Sequence, residues 1–259
     1  MPQGSILRPL LWNVQYDGVF RLDLPHEVET IGYTDDLALV VTAKRKTELE
    51  TKANVAIQQV IEWIEDRGLS VAPQKTESVL LARKRNINEI TVRIKGEKIS
   101  TKESVKYLGV TFSKGAHFGN HIRDVTGMAS LLAARLSRIM PSVGGPRASK
   151  RRMIHSTVWS VVMYAAPVWH RVTETGRYNN MLARVQRQMV LKVCAAYRTI
   201  STEAAEVVAR IPPFDLQVRE RVAVREKGGE KAQAAVETLT AWQQRWDDLR
   251  NKGQWPKRM

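Results

Sequence analysis

The chain has 259 residues, of which 43% are hydrophobic and 26% are charged. This composition supports one substantial core, or a domain with a subdomain, and it excludes a globally disordered chain. The single cysteine, Cys194, excludes an intramolecular disulfide, and Cys/His spacing of the zinc-knuckle type is absent.

The formal net charge of +15 predicts a polyanionic partner, of which nucleic acid is the commonest. A basic protein without a specific partner is the alternative interpretation. Residues 1–113 contain 16 Lys and Arg against 15 Asp and Glu, whereas residues 114–259 contain 25 against 11. This asymmetry predicts a nearly neutral scaffold followed by a basic binding region. No apolar stretch reaches the ~18 residues of a membrane span, so no membrane partner is expected.

The first part of the chain predicts both helices and strands. Apolar residues recur at helical spacing within residues 5–20, where Pro9 suits a first helical turn. In residues 28–43, β-branched and aromatic residues flank the acidic letters TDD, which predicts two strands joined by a tight turn. Residues 46–67 predict an amphipathic helix, with Gly68 as its C-terminal cap.

Three further strands are predicted at residues 78–82, 90–94 and 106–112, separated by polar turns. Strands and helices together indicate an α+β arrangement for residues 1–113.

The second part of the chain predicts mainly helices. An apolar stripe from Ile122 to Ile139 ends at Pro141, a second helix covers 147–166, and a third covers about 178–197. Cys194 lies in the apolar run of the third helix, which favours a core residue over a nucleophile. The last stretch, 226–259, is polar and charged, and its apolar anchors are Trp242, Trp246 and Trp255.

The acidic pair Asp35 and Asp36 occupies the predicted hairpin tip. Adjacent carboxylates repel each other unless a cation balances them, and hard oxygen ligands suit Mg²⁺. Carboxylates of this kind hold the metal ions of two-metal phosphoryl transfer. An ordinary solvated acidic turn is the alternative for an isolated Asp-Asp dipeptide.

Four short segments favour the metal-binding interpretation over a solvated turn because they occur together. They are PQGS at 2–5, YTDD at 33–36, GLSVAPQKTE at 68–77 and KYLGV at 106–110. Their order and approximate spacing resemble the palm motifs of reverse transcriptases, and the flanking letters resemble the non-LTR (LINE-like) retrotransposon branch. The resemblance covers roughly residues 2–225. It implies a partial palm at 1–113, a helical thumb or connection region at 114–225 and a charged, partly helical tail at 226–259.

The resemblance also implies site residues. Asp35 and Asp36 match the catalytic carboxylates that bind Mg²⁺, or alternatively Mn²⁺, and Asp35 is the more direct ligand. Lys75 matches a lysine that faces the phosphates and assists the departing pyrophosphate, although a surface lysine in a loop explains it equally well. The template and nucleotide contacts would come from Gln3, Gly4 and Tyr33, and the primer-holding contacts from Tyr107, Leu108 and Gly109.

The basic second half resembles the thumb, whose cations contact the phosphate backbone. The candidate phosphate-binding residues are Arg147, Lys150, Arg151, Arg152, Arg184 and Arg187. For any single residue of this set, a solvated helix face is the alternative.

The implied partners are an RNA template, a DNA primer and deoxynucleoside triphosphates, while oligomeric state and compartment do not follow from the sequence. In the family, a third catalytic aspartate precedes the PQGS motif, and the sequence starts just before this motif. We therefore expect little or no polymerase activity from this polypeptide alone. The alternatives are a non-enzymatic nucleic-acid-binding protein and a retroelement relic without a retained role. Two positions depart from the family pattern: Arg8 stands where glycine is usual, and Thr34 where alanine is more common.

Overall fold

A computed structural model of the chain describes residues 7–82, 87–141, 143–228 and 230–248. The chain divides into two compact units: the first contains residues 1–105 and 113–116, and the second contains residues 106–112 and 117–259. The first unit mixes helices with small sheets and the second is mainly helical. The predicted α+β class is therefore confirmed. None of the helices in the described ranges has the length and apolar character needed to cross a membrane.

The first unit opens with helix α1 (Arg8–Tyr16), which carries its proline in the first turn and continues into a 3-10 helix (Asp17–Arg21). The predicted helix over 5–20 is thus confirmed for its described residues. Strands β1 (Val28–Tyr33) and β2 (Asp36–Val41) then pair in antiparallel fashion, which confirms the predicted hairpin.

Helix α2 (Lys46–Glu65) holds the two hydrophobic clusters of the first unit together. Leu49 and Ala53 pack in one cluster with residues of the following strands, whereas Val60 and Ile64 pack in the other with Tyr16. This three-or-four-residue spacing is the predicted amphipathic pattern. Beyond the helix, Gly68 adopts φ +71°, so the predicted glycine cap is confirmed as well.

The small sheet of the first unit differs from the prediction. Its strands β3 (Ser78–Val79), β4 (Thr91–Ile94) and β5 (Glu97–Lys102) lie in the order β3-β5-β4, with β3 parallel to β5. The central strand β5 was not predicted, because its residues EKISTK are mostly polar. Only Ile99 and Thr101 of this strand are partly buried. The strand predicted over 78–82 is only two residues long.

The predicted single strand over 106–112 is wrong. Two strands, β6 (Ser104–Tyr107) and β7 (Val110–Ser113), form a hairpin there. Leu108 and Gly109 adopt φ +46° and +81°, and two successive positive φ values form the kind of tight turn that reverses a chain between antiparallel strands.

The second unit consists of helices α3 (Gly119–Ser137), α4 (Ala148–Val162), α5 (Ala166–Trp169), α6 (Gly176–Val193), α7 (Thr202–Ala209), α8 (Phe214–Glu226) and α9 (Lys231–Asp247), with a 3-10 helix at His170–Glu174. Its main core joins α3, α4, α5, α6 and α8. The largest fully buried side chains of this core are Ile122, Met140, Val158, Trp169, Leu182 and Met189.

Two helix ends and one exposed side chain in the second unit differ from the predictions. The helix predicted over 147–166 ends at Val162, because Ala165 adopts a left-handed conformation and Pro167 starts the next helix. The third predicted helix ends at Val193 rather than near 197. Ile139, assigned to an apolar stripe, is exposed.

Two other predictions for this unit concern Cys194 and the tail at 226–259. Cys194 is half-buried and packs with a small core cluster, and burial raises the pKa of its thiol, so its assignment to the core rather than to a nucleophile is supported. Helix α9 fills much of the predicted tail, with Trp242 and Trp246 half-buried, whereas Trp255 lies outside the described residues.

Arg151 is a buried cation that joins separate segments of the second unit. Its guanidinium donates hydrogen bonds to the carbonyl oxygens of Pro146 (2.8 Å), Lys192 (3.0 Å), Pro141 (2.5 Å) and Met140 (3.4 Å). These carbonyls lie after α3, before α4 and at the end of α6. One side chain therefore satisfies buried acceptors from three parts of the chain.

We expect Arg151→Met to lower the free energy of unfolding by about 3 kcal/mol, because several buried carbonyls would lose their donor. The control is Lys150→Met, which removes the same charge from an exposed neighbouring position and should change stability by less than about 0.5 kcal/mol. Urea denaturation followed by circular dichroism measures both. Equal stability losses in the two variants would show that the hydrogen bonds of Arg151 contribute little.

Candidate functional site

The acidic pair lies at the tip of the β1–β2 hairpin. Val28 pairs with Val41 at one end, and Tyr33 pairs with Asp36 at the other, so Thr34 and Asp35 form the turn itself. Thr34 adopts φ +53°, a left-handed conformation that closes the turn. Asp35 and Asp36 are both exposed, which leaves their carboxylates accessible to a ligand.

Aromatic side chains support this tip from within the first unit. The indole nitrogen of Trp12 donates a hydrogen bond to the carbonyl oxygen of Thr34 at 2.8 Å. Trp12 stacks on Tyr16 with ring centroids 5.2 Å apart, and Tyr16 meets Trp63 of α2 edge to face at 6.2 Å. The turn is thus connected to the hydrophobic cluster through a continuous series of rings.

Gly32 allows the hairpin to approach these rings. A Cβ atom at this position would lie 2.6 Å from Cζ of Phe20 and 3.5 Å from Cε1 of Tyr16. A side chain at position 32 would therefore displace either the Phe20 ring or the strand that carries the acidic turn.

The chemistry of the tip fits a hard divalent cation, since two neighbouring carboxylates offer oxygen ligands in an exposed position. Within the described ranges, however, no group of three or more His, Cys, Asp and Glu side chains is arranged to hold a metal ion. Gln3 and Gly4, predicted to contact template and nucleotide, lie outside the described residues.

Two other predicted site residues of the first unit are exposed. The side chain of Tyr33 is 62% exposed next to the turn. Lys75 is the last residue of a short 3-10 helix (Pro73–Lys75), which its proline begins. Both side chains are accessible to a ligand, and their predicted contacts with substrate stay predictions.

The predicted primer-holding residues form the β6–β7 turn. The phenol of Tyr164 donates a hydrogen bond to the carbonyl oxygen of Leu108 at 2.9 Å. A Cβ atom on Gly109 would lie 3.1 Å from Cε1 of the same ring. The ring of Tyr164 therefore covers the turn that Tyr107, Leu108 and Gly109 build.

The predicted phosphate-binding cations fall into two groups. Arg147, Lys150 and Arg184 are exposed and Arg152 is partly exposed, as a phosphate contact requires. Arg151 is buried, as described above, and its assignment to phosphate needs correction.

Arg187 is partly exposed, and its predicted phosphate contact stays a prediction. It donates hydrogen bonds to the Thr202 hydroxyl (2.8 Å) and to the carbonyls of Arg198 (2.8 Å) and Ile200 (2.7 Å). It ties the segment that follows α6 back onto that helix, so its donors are used within the protein.

Trp12 and Tyr164 are the supporting residues that the sequence did not indicate. Their bonds connect positions 22 and 56 residues apart, respectively, and no local pattern in the sequence marks such pairs. The family motifs identify the turns themselves but not the side chains that hold them.

Comparison with known proteins tests the resemblance to reverse transcriptases that these motifs indicate. Residues 1–112 match the protein family described as reverse transcriptase (RNA-dependent DNA polymerase). Over 229 residues the chain is 29% identical to a retrovirus-related Pol polyprotein from the type-1 retrotransposable element R1 2 of Nasonia vitripennis, covering 86% of this chain and 56% of that protein.

Other relatives come from similar elements. A protein of the type-1 retrotransposable element R1DM of Drosophila melanogaster is 28% identical over 95% of this chain and 26% of its own length. The RNA-directed DNA polymerase from the mobile element jockey of Drosophila funebris is 25% identical over 85% of this chain and 24% of its own length. The chain thus spans between about a quarter and about half of these relatives. No solved structure matches it significantly.

We expect Gly109→Ala to lower the free energy of unfolding by about 1 to 2 kcal/mol, because alanine is strained at φ +81° and its methyl group would press on Tyr164. Gly127→Ala is the matched control: this glycine is exposed in the interior of α3 with open space around its Cβ position. The control should stabilise the protein by about 0.5 to 1 kcal/mol. Thermal unfolding measures both, and a neutral or stabilising Gly109→Ala would contradict the described turn.

Proposed function

We propose that the chain is the palm and thumb part of an RNA-directed DNA polymerase, because residues 1–112 match the reverse transcriptase family and the chain is similar to proteins of non-LTR retrotransposons. In this proposal residues 1–113 form the partial palm, residues 114–225 form the thumb or connection region, and residues 226–259 form a charged tail. The template, primer and deoxynucleoside triphosphates are the ligands. The observation that carries the proposal is the exposed Asp35–Asp36 pair, placed on a tight hairpin inside the matched region.

Asp35 and Asp36 would hold divalent metal ions, Mg²⁺ or Mn²⁺. When bound, such ions neutralise charge on the phosphates and lower the barrier to nucleotidyl transfer. The protein holds the two carboxylates in place for the metal ions. The Trp12 hydrogen bond and the Tyr33–Asp36 pairing fix the turn, so the carboxylates would need little rearrangement to bind metal.

The other predicted residues take supporting roles in the proposal. Tyr33, exposed beside the carboxylates, would contact the primer–template near the incoming nucleotide. Lys75 would face the phosphates and donate a proton or positive charge to the departing pyrophosphate. The Leu108–Gly109 turn would hold the primer end, with its backbone conformation set by Tyr164.

We further propose that the 259-residue polypeptide has little polymerase activity alone, because no third ligand joins Asp35 and Asp36 among the described residues. A metal site with two carboxylates stabilises the transition state poorly.

Primer extension with Mg²⁺ and a primed RNA template tests this part directly. We expect the purified polypeptide to incorporate no more nucleotide than its Asp35→Ala variant. Robust incorporation that Asp35→Ala abolishes would contradict the incomplete site.

A chimera tests the polymerase role itself. This chain would replace the matching region of the Nasonia R1 relative, so that it is assayed within the longer protein. We expect Mg²⁺-dependent incorporation that falls at least about a hundredfold in Asp35→Asn, because removing a carboxylate removes charge stabilisation in the transition state. The control Asp66→Asn removes an exposed carboxylate at the end of α2 and should leave incorporation unchanged. An inactive, folded chimera would contradict the proposal.

The excess of 14 positive charges over residues 114–259 favours a second candidate, a non-enzymatic nucleic-acid-binding protein. Both candidates require binding through exposed cations. The chimera separates them, because only the polymerase proposal expects nucleotide incorporation.

We expect RNA binding to weaken steeply with salt, and removal of exposed cations to flatten this dependence. The double variant Lys150→Ala with Arg184→Ala should lower the slope of log K against log salt by about 0.7 to 0.9 for each phosphate that the protein no longer neutralises. The control Arg93→Ala removes an exposed cation of the first unit, outside the proposed set, and should leave the slope unchanged. Filter binding over a salt series measures both, and an identical slope in the double variant would exclude these residues as phosphate ligands.

A further inference from the structure

A half-open cavity of about 720 Å³ lies in the second unit among helices α6, α7, α8 and α9 and the 3-10 helix at His170–Glu174. This volume suits a small organic group or a long side chain. None of the residues that the reverse transcriptase motifs identify lines it. The proposed polymerase function therefore leaves this cavity unexplained.

The charge of the cavity is opposite to that of the region around it. Five acidic side chains line it, Glu174, Glu203, Glu206, Asp215 and Glu226, against two basic ones, Arg219 and Arg245. The rest of residues 114–259 is strongly basic. An acidic cavity in a basic region attracts cations and disfavours the nucleic acid that the outer surface attracts.

One of the two arginines is already paired. Arg245 on α9 binds Asp215 on α8 through two hydrogen bonds of 3.0 and 2.5 Å. This pair neutralises itself and connects the two helices. The other charged side chains of the lining are Glu174, Glu203, Glu206 and Glu226, against Arg219 alone, so the remaining space is acidic.

Glu206 is the unusual member of this set. Its residue is only 5% exposed, and no hydrogen bond or ion pair of its side chain is present within the part of the chain that the structure describes. Burial raises the pKa of this carboxyl to about 8, repulsion by Glu203 and Asp215 adds to the rise, and Arg245 opposes it. A buried carboxyl without a partner is costly unless a ligand supplies the missing donors.

Apolar side chains also line the cavity. Phe214, Val218 and Val222 of α8 line it, together with Ala183 of α6. Acidic oxygens beside apolar surface fit a ligand with an aliphatic stem and a cationic head. Guanidinium suits such a site better than ammonium, because its planar donors match carboxylates and it is more weakly hydrated.

We propose that this cavity binds a guanidinium group carried on an aliphatic stem, as in an arginine side chain, with Glu203 and Glu206 as its acceptors and Phe214, Val218 and Val222 along its stem. The ligand is either free arginine or an arginine of a peptide, and both present the same chemistry. This site lies apart from the proposed polymerase residues, so neither proposal depends on the other.

Binding should depend on pH through Glu206. The charged or titratable groups that line the cavity with it are Glu203 on the same helix, Asp215, Arg219 and Glu226 on α8, Arg245 on α9, and His170 and Glu174 on the 3-10 helix. A cation favours the ionised carboxylate, whereas the free protein holds Glu206 protonated below about pH 8. Binding therefore releases a proton near neutral pH, and affinity increases as the pH rises from about 6 towards 8.

Isothermal titration calorimetry of the full chain with N-acetyl-arginine methylamide tests the site, using N-acetyl-citrulline methylamide as the uncharged isostere. We expect saturable binding of the arginine probe, at least tenfold weaker binding of the citrulline probe, and affinity that increases at least fivefold between pH 6 and pH 8. Free arginine and an arginine-containing peptide, titrated in parallel, distinguish the two sources of the ligand.

Glu206→Gln is the decisive variant. Glutamine copies the shape and charge of the protonated carboxyl, so the fold should persist, and circular dichroism checks it. We expect arginine binding to weaken at least tenfold and to lose its dependence on pH between 6 and 8, with no proton release in buffers of different ionisation enthalpy. Glu203→Gln provides a second variant in the same cavity. Glu220→Gln, on α8 but outside the cavity lining, is the control and should bind like the unchanged chain.

Three results would overturn the proposal. These are the absence of arginine binding to the folded chain, equal binding of the citrulline probe, and unchanged affinity in both Glu206→Gln and Glu203→Gln. Loss of primer extension in the chimera described above would leave the site unaffected.

Discussion

The register of the β1–β2 hairpin is the constraint on which the candidate site depends. Side chains alternate between the two faces of a strand, so a shift of one residue would move every side chain to the opposite face. The pairing of Tyr33 with Asp36 leaves only Thr34 and Asp35 in the turn, and this brings both carboxylates to the exposed tip. The left-handed backbone of Thr34 and the missing side chain of Gly32 are both required by this arrangement.

The helical unit shows how a strongly basic composition divides between structure and surface. Arg151 and Arg187 use their donors on carbonyl and hydroxyl oxygens of the protein, whereas Arg147, Lys150 and Arg184 remain exposed. Arginine suits the first role because its fork of donors can reach several carbonyls at once. Net charge therefore indicates the class of partner, but it overestimates the number of residues available to contact it.

The sequence predicted those features that follow from local patterns. The amphipathic spacing of α2, the Gly68 cap and the hairpin around Asp35 each depend on a few neighbouring residues, and all are confirmed. Strand β5 was missed because its stability comes from pairing with strands on both sides rather than from apolar letters of its own.

Long-range contacts were beyond prediction from the sequence. The support of the two turns by Trp12 and Tyr164 depends on residues 22 and 56 positions away. The acidic cavity requires four separate helices to come together before Glu206 becomes buried. The family motifs located the turns that carry the candidate catalytic residues, and the fold supplied the residues that hold them.

The hydrogen bonds of Arg151 also have a kinetic consequence. Their acceptors belong to segments as far apart as Met140 and Lys192, so they form only after a long loop has closed. The end of α3, the start of α4 and the end of α6 should therefore acquire their final order in a single late folding event. Amide hydrogens in these three segments would then exchange with solvent through one common opening, at similar rates, although they are distant in sequence.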